Sequence, residues 1–240
     1  MFFIQENESI RCENPGLECA VIGKAQHDRK LANRPYLVFG DIKIIFNIVF
    51  QQVDSAGYTT GKEYKIPITY DGPGRRLDPM EGFRIAIRET EKAKPAHMLS
   101  LTQALSYDRE ALKEADYEED DFHAAILTNR MFSNGAVSLF YKGTKDLLAS
   151  CFPDGCFIVP SSVHEMLLLS KPHFLYRLEE AKSILKEVNL GNSISQEEIL
   201  SDRIMEFHMP SRTISYAREE KEIRLQCPSQ RRRGVGASQR

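Results

Sequence analysis

From Ile42 to Phe50 every second residue is large and apolar: Ile42, Ile44, Phe46, Ile48 and Phe50. Side chains alternate between the faces of a β-strand, so this spacing lays five apolar groups on one side of a sheet. Ile45 and Val49 enrich the other side as well, the pattern of a central strand. SAGYTTG then reads as a turn, and KEYKIPITY resumes as a second strand, which predicts a hairpin with a medium-length loop. Pro67 cannot donate to a ladder and places that second strand at an edge. Residues 1–35 show little regular periodicity and are expected to form an irregular lead-in.

After this hairpin the period changes. In DGPGRRLDPMEGF, Asp78 is placed to cap a helix, Pro79 suits its first position, and Glu81 completes a reciprocal cap. This helix is expected to reach about Glu91 and to bury Phe83, Ala86 and Ile87. A further helix, broken near Ser106, is expected across LTQALSYDREALKEA. FHAAILTN and GAVSLFY read as strands joined through RMFSNG, where Asn134 and Gly135 suit a positive-φ turn. TKDLLASCF predicts a short helix; CFIVP and HEMLLLS predict two strands with a turn at Pro160 and Ser161. Phe174, Leu178, Ala181, Leu185 and Val188 recur at helical spacing through PHFLYRLEEAKSILKEV. Ser195 and Glu198 can cap a short helix in ISQEEIL, and RIMEFHM with RTISYA predicts a closing hairpin.

These elements predict an α+β fold: a mainly antiparallel sheet built from β-hairpins with covering helices. Two units, 36–115 and 122–217, follow the lead-in 1–35 and precede a flexible basic tail, 218–240. A chain of 240 residues that is 42% hydrophobic is long enough to bury a sizeable core. Its formal charge of −2 provides no global field that would select nucleic acid or an anionic membrane. No apolar run approaches the roughly 20 residues needed to span a bilayer, and the start lacks the basic-then-apolar layout of a secretory signal. The five cysteines, Cys12, Cys19, Cys151, Cys156 and Cys227, form no CxxC pair. Their scatter favours reduced thiols in a cytoplasm, although Cys151 and Cys156 are close enough to meet across CFPDGC.

Charge is concentrated in two places. EALKEADYEEDD, residues 110–121, carries seven carboxylates and one lysine. Such a run resists burial and reads first as a solvated helix end and loop. As a recognition surface, Glu118, Glu119, Asp120 and Asp121 would meet a basic protein; the spacing lacks the glycine and alternating ligands of a calcium loop. QRRRGVGASQR supplies four arginines and no acid. With Arg75 and Arg76, near the helix that Asp78 caps, these arginines are the candidates for anion or nucleic-acid contact.

VPSSVHE holds the residues most suggestive of chemistry. A serine nucleophile needs a base beside its oxygen and a third group orienting that base. In an extended strand Ser162 and His164 share a face while Glu165 points away, and no G-x-S-x-G elbow precedes the serine. A capped turn feeding a core strand is therefore the first expectation, and a hydrolase using Ser162 and His164, with Asp202 as orienting acid, is the alternative. His164-Glu165 has no second histidine at HExxH spacing because residue 168 is leucine. A metal held by His123, His164, His173 and Glu165 would depend on the fold alone, and no metal or cofactor is expected. Asp202, Glu206 and His208 share strand parity and read as a polar solvent-facing edge.

Taken as a set, LTN at 127–129, NGA at 134–136, PSSxHE at 160–165, EVN at 187–189 and EEILSD at 197–202 resemble one known family. It is the family catalogued as domain of unknown function 5688, found mainly in gut Firmicutes and often near mobile elements. The resemblance covers 36–217 and is strongest from 125 to 205. It implies no reaction or ligand, and its context suggests a mobile-element accessory or anti-defence factor. The function expected from the whole is a non-catalytic cytoplasmic protein-binding or adaptor module with an unidentified, basic partner. A serine-type hydrolase and a nucleic-acid-binding protein are the alternatives.

Overall fold

A computed structural model describes residues 2–6, 8–54, 59–72, 78–106, 108–119, 123–174, 178–191, 194–219 and 221–228. The chain begins with β1 (Phe2–Glu6), β2 (Glu8–Ile22), a 3-10 turn (Lys24–Gln26) and α1 (His27–Leu31). β3 (Tyr36–Phe39), β4 (Ile42–Val53), β5 (Thr59–Pro67) and α2 (Pro79–Ala93) follow. Next come β6 (Ala96–Ser100), α3 (Leu101–Ser106), α4 (Arg109–Glu114) and β7 (Ala124–Asn129). A 3-10 helix (Gly135–Phe140) and α5 (Thr144–Cys151) lead into β8 (Cys156–Val159) and β9 (Met166–Ser170). The chain continues through α6 (Lys171–Phe174), α7 (Leu178–Leu190), β10 (Met205–His208), β11 (Thr213–Tyr216) and β12 (Leu225–Gln226).

The strands form two six-stranded antiparallel sheets. In the first, order β1-β2-β4-β3-β12, β4 is long enough to hold two partners on one edge: β3 along Ile42–Ile45 and β5 along Asn47–Val53. The second has the order β11-β10-β8-β9-β7-β6. The α+β class with hairpin-built antiparallel sheets is as the periodicity predicts. β6, from the first predicted unit, pairs with β7 from the second. One core joins Leu37, Ile44 and Phe46 of the first sheet to Leu127, Ile158 and Phe207 of the second.

The second sheet is buried on both faces, which accounts for its continuous apolar runs. Cys156 and Ile158 of β8 face the shared core, while Phe157 and Val159 join Leu178, Ala181 and Leu185 of α7 in a separate cluster. The side chains of Phe174 and Val188, predicted on the same helical stripe, lie outside the described residues. Asp78 caps α2 as predicted, accepting from the backbone of Met80 and Glu81. Glu81 does not close the reciprocal cap; it pairs with Arg84 at 3.3 Å.

Several expectations need correction. Residues 1–35 are not an irregular lead-in, because β2 is the longest strand and pairs with β4 along most of its length. Its periodicity is interrupted at Asn14-Pro15-Gly16, where the register shifts between Glu13 and Gly16 and a bulge absorbs the proline. GAVSLFY is a 3-10 helix rather than a strand. Its residues 135–139 are buried all round, so their apolar run carries no strand period. ISQEEIL makes only a turn: Ser195 and Glu198 form the reciprocal cap, at 3.2 and 3.3 Å, without a helix behind it. Asp202, Glu206 and His208 are not a solvent-facing strand edge. Asp202 precedes β10, and Glu206 is buried, its charge answered by Lys171 at 2.6 Å.

Candidate functional site

Asn134, in one of the segments that carry the family resemblance, reaches the open edge of β2, and His164 of a second segment bonds to Asn134 and to Thr128 of a third. Beyond Gly16 this edge has no neighbouring strand among the described residues, so its outward N–H groups need other acceptors. Glu89 takes Leu17 at 2.6 Å, Thr90 takes Cys19 at 2.9 Å, and the Asn134 amide oxygen takes Val21 at 3.0 Å. The Asn134 amide also donates back to the Val21 carbonyl at 3.0 Å, so one side chain stands in for a strand. Asn134 lies in the left-handed region, at φ 52°, where asparagine is tolerated better than most residues. Gly135 follows because a Cβ there would collide with the Thr128 hydroxyl, the His164 carbonyl and the Asn129 nitrogen.

VPSSVHE belongs to this junction. Residues 160–165 form a tight loop between β8 and β9 rather than the start of a strand. Ser162 is buried, and its Oγ accepts the His164 backbone N–H at 3.0 Å, turning the chain before β9 begins. Ser161 Oγ donates to the Glu165 carbonyl at 3.1 Å, and Pro160 is buried beside it. The His164 ring is occupied at both nitrogens. Nδ1 accepts from the Asn134 backbone N–H at 3.1 Å, which requires the tautomer whose Nε2–H donates to Glu198 Oε1 at 3.2 Å. The base lone pair that a serine nucleophile would need is thus directed at Asn134. Glu198 is also fixed through its backbone, where its carbonyl accepts from Val163 N at 2.9 Å.

On the far side of the segment 197–202 lies a cleft of about 710 Å³. Its walls are the 3-10 turn at Lys24–Gln26, one stripe of α7 (Lys182, Leu185, Lys186, Asn189) and the stretch from Gln196 to Ile204. Tyr216, Ala217 and Glu219 complete the lining. Leu185, Ile199 and Ile204 make an apolar floor. Lys24 is ion-paired with Asp202, and Arg203 with Glu219. The Arg203 guanidinium also lies 3.2 Å from the centre of the Tyr216 ring, a cation–π contact. The Tyr216 hydroxyl donates to Asp41 at 3.1 Å. Burial and the Asp41 charge push its pKa up to about 12.

Asn189 anchors the α7 wall by donating to the Ser201 carbonyl and to Asp202, each at 3.0 Å. Its amide oxygen is buried with no hydrogen-bond partner among the described residues, a deficit of about 1–3 kcal/mol for a group of this kind. The sequence points to α7 as an apolar helix, but its lysine stripe became meaningful only when Lys24 and Arg203 arrived from distant positions. The i, i+4 spacing of Lys182 and Lys186 beside Leu185 and Asn189 was the legible part of that signal.

The remaining described candidates lie apart from the junction and the cleft. Glu118 and Glu119 are exposed after α4. Arg75, Arg76, Asp120, Asp121 and the arginines of the terminus lie outside the described residues. His123 stacks on His173 with ring centres 3.4 Å apart, and its Nδ1 is 3.5 Å from Glu119, while His164 is committed elsewhere. Among the described residues no group of three or more His, Cys, Asp or Glu side chains is arranged to hold a metal. Cys151 and Cys156 are not bridged to each other, and Cys19 and Cys227 are likewise free thiols. No helix among the described residues is long and apolar enough to cross a membrane.

A family model described as a family of unknown function, DUF5688, matches residues 13–209. No curated protein and no solved structure matches the chain.

Proposed function

Because the chain belongs to the DUF5688 family, for which no function is described, its role has to be argued from its own residues, and we propose that it is a non-catalytic protein-binding module that receives its partner in the cleft. The observation that carries this reading is the cleft itself. Its volume of about 710 Å³ falls within the range of ligand pockets, and it combines an apolar floor with a few convergent charged and amide groups. The geometry of VPSSVHE supports binding over serine chemistry, since Ser162 Oγ and both His164 nitrogens already serve the junction. The exposed Glu118 and Glu119 offer only a solvated acidic surface, which contributes little on its own. A cytoplasmic setting, and a bacterial mobile-element or anti-defence role, belong to this same proposal. They rest on the free thiols and on the family context.

Ala25→Trp tests the reading. Ala25 is exposed at the cleft, so an indole there plugs the opening without disturbing the core. Affinity capture from native lysate, compared between wild type, Ala25→Trp and Ser162→Ala, should lose its partner only in Ala25→Trp. Unchanged capture by the plugged variant, or a hydrolase activity abolished by Ser162→Ala, would refute the proposal.

A further inference from the structure

We infer that the occupant of the cleft is an acidic polypeptide segment bearing large apolar side chains, a conclusion that rests on the binding reading above. Three features of the cleft select this chemistry. The first is charge. Four cations, Lys24, Lys182, Lys186 and Arg203, and two acids, Asp202 and Glu219, line the cleft of a chain whose formal charge is −2. Lys24 and Arg203 are answered by those two acids, and Lys182 is paired with Glu179 of its own helix at 3.0 Å. Lys186 has no ion-pair partner among the described residues, so the uncompensated charge runs along α7, one turn beyond Lys182.

The second feature is apolar. Leu190, on the last turn of α7, lines the cleft while 73% exposed, and it continues the floor formed by Leu185 and Ile199. A purely ionic ligand leaves that leucine in water, whereas a side chain such as leucine covers it. The third feature separates a peptide from other amphiphilic anions. Asn189 lines this wall, and its buried amide oxygen is an acceptor without a donor among the described residues. A fatty acid or a phosphate ester at neutral pH brings carboxylate or phosphate oxygens, which only add acceptors; a peptide brings an N–H at every residue.

The test is fluorescence polarisation with three labelled peptides of equal length: alternating Glu-Leu, alternating Glu-Ser and alternating Lys-Leu, with octanoate as competitor. Glu-Leu should bind at least about tenfold more tightly than either control, and its affinity should fall as salt is raised. Lys186→Glu should weaken Glu-Leu by about tenfold, and Leu190→Ser should weaken it independently of salt. Both positions are exposed, and circular dichroism verifies that each variant is folded. Lys-Leu binding that matches Glu-Leu and is blocked by Ala25→Trp overturns the acidic assignment while leaving the binding module standing. Octanoate binding in the cleft without Glu-Leu binding overturns the polypeptide assignment in the same way. Failure of every probe, together with lysate capture unaffected by Ala25→Trp, removes both readings.

Discussion

Asn134→Ala should cost at least about 3 kcal/mol of folding stability, far more than an ordinary loop substitution. Val21 is 1% exposed, and its outward N–H and C=O both bond to the Asn134 amide at 3.0 Å. Truncation leaves two buried backbone groups without partners, at about 1–3 kcal/mol each. Alanine also pays about 1–2 kcal/mol to hold the left-handed backbone. Asn134→Gly separates these terms, because it removes the amide but relieves the backbone; it should recover about 1 kcal/mol of the loss. Asn134→Asp keeps the acceptor for Val21 N–H but turns a carboxylate oxygen toward the Val21 carbonyl, so it should be no better than glycine. The assay is equilibrium urea unfolding followed by far-ultraviolet circular dichroism, since the chain has no tryptophan. An Asn134→Ala variant within about 0.5 kcal/mol of wild type would mean that this amide does not substitute for a strand.

Ser162→Ala should destabilise by about 0.5–2 kcal/mol, measured by the same titration, because the part-buried His164 N–H loses the hydroxyl that accepts it. Glu18 is buried, which raises its pKa, but hydrogen bonds and charge from Lys65 and Lys94 outweigh this and hold it below the ordinary carboxylate value. Its folded-state pKa is thus depressed, and its contribution to stability is complete above the unfolded value and lost as pH falls through the folded one. The stability gap between wild type and Glu18→Gln, followed by urea unfolding from neutral pH downward, should accordingly shrink in acid; a gap independent of pH would contradict the pairing. Burial drives the Cys19 and Cys156 thiols far above the usual range, while Cys227 is exposed. Iodoacetamide labelling mapped by mass spectrometry should therefore modify Cys227 in the folded protein and reach Cys19 and Cys156 only on unfolding.

The elements that the sequence revealed are those whose period has one cause. β4 alternates because one face meets the shared core, and α2 announces itself through Asp78 and Pro79. What escaped are segments whose surroundings come from elsewhere. β2 was hidden because Pro15 breaks its pattern and because its outward edge is completed by Glu89, Thr90 and Asn134 rather than by another strand. Gly135–Leu139 looked like a strand because it is mostly apolar, yet it is apolar from being enclosed on every side. The turn role of Ser162 was legible from Pro160 and the adjacent serine, whereas the pairing of His164 with Glu198 spans 34 residues and leaves no local trace. The cleft was the least legible feature, since Lys24 and Asp202 stand 178 residues apart in the chain.

The junction and the cleft are two faces of one segment. Glu198 is held by His164 and by Val163 N–H, Ile199 accepts from Lys24 N at 2.8 Å, and Ser201 donates to Asp41 at 2.5 Å. Asp202 then reaches into the cleft, where it meets Lys24 and Asn189. His164 therefore has a positioning role: it does not line the cleft, yet it fixes the strip of backbone from which the cleft wall is built. His164→Ala should lower Glu-Leu peptide affinity together with stability, whereas Lys186→Glu should lower affinity and leave stability unchanged. His164→Gln, which can still accept from Asn134 or donate to Glu198, should recover part of both losses. That paired behaviour, read from unfolding and polarisation titrations on the same samples, separates a scaffold histidine from a reacting one, for which removal would leave binding largely intact.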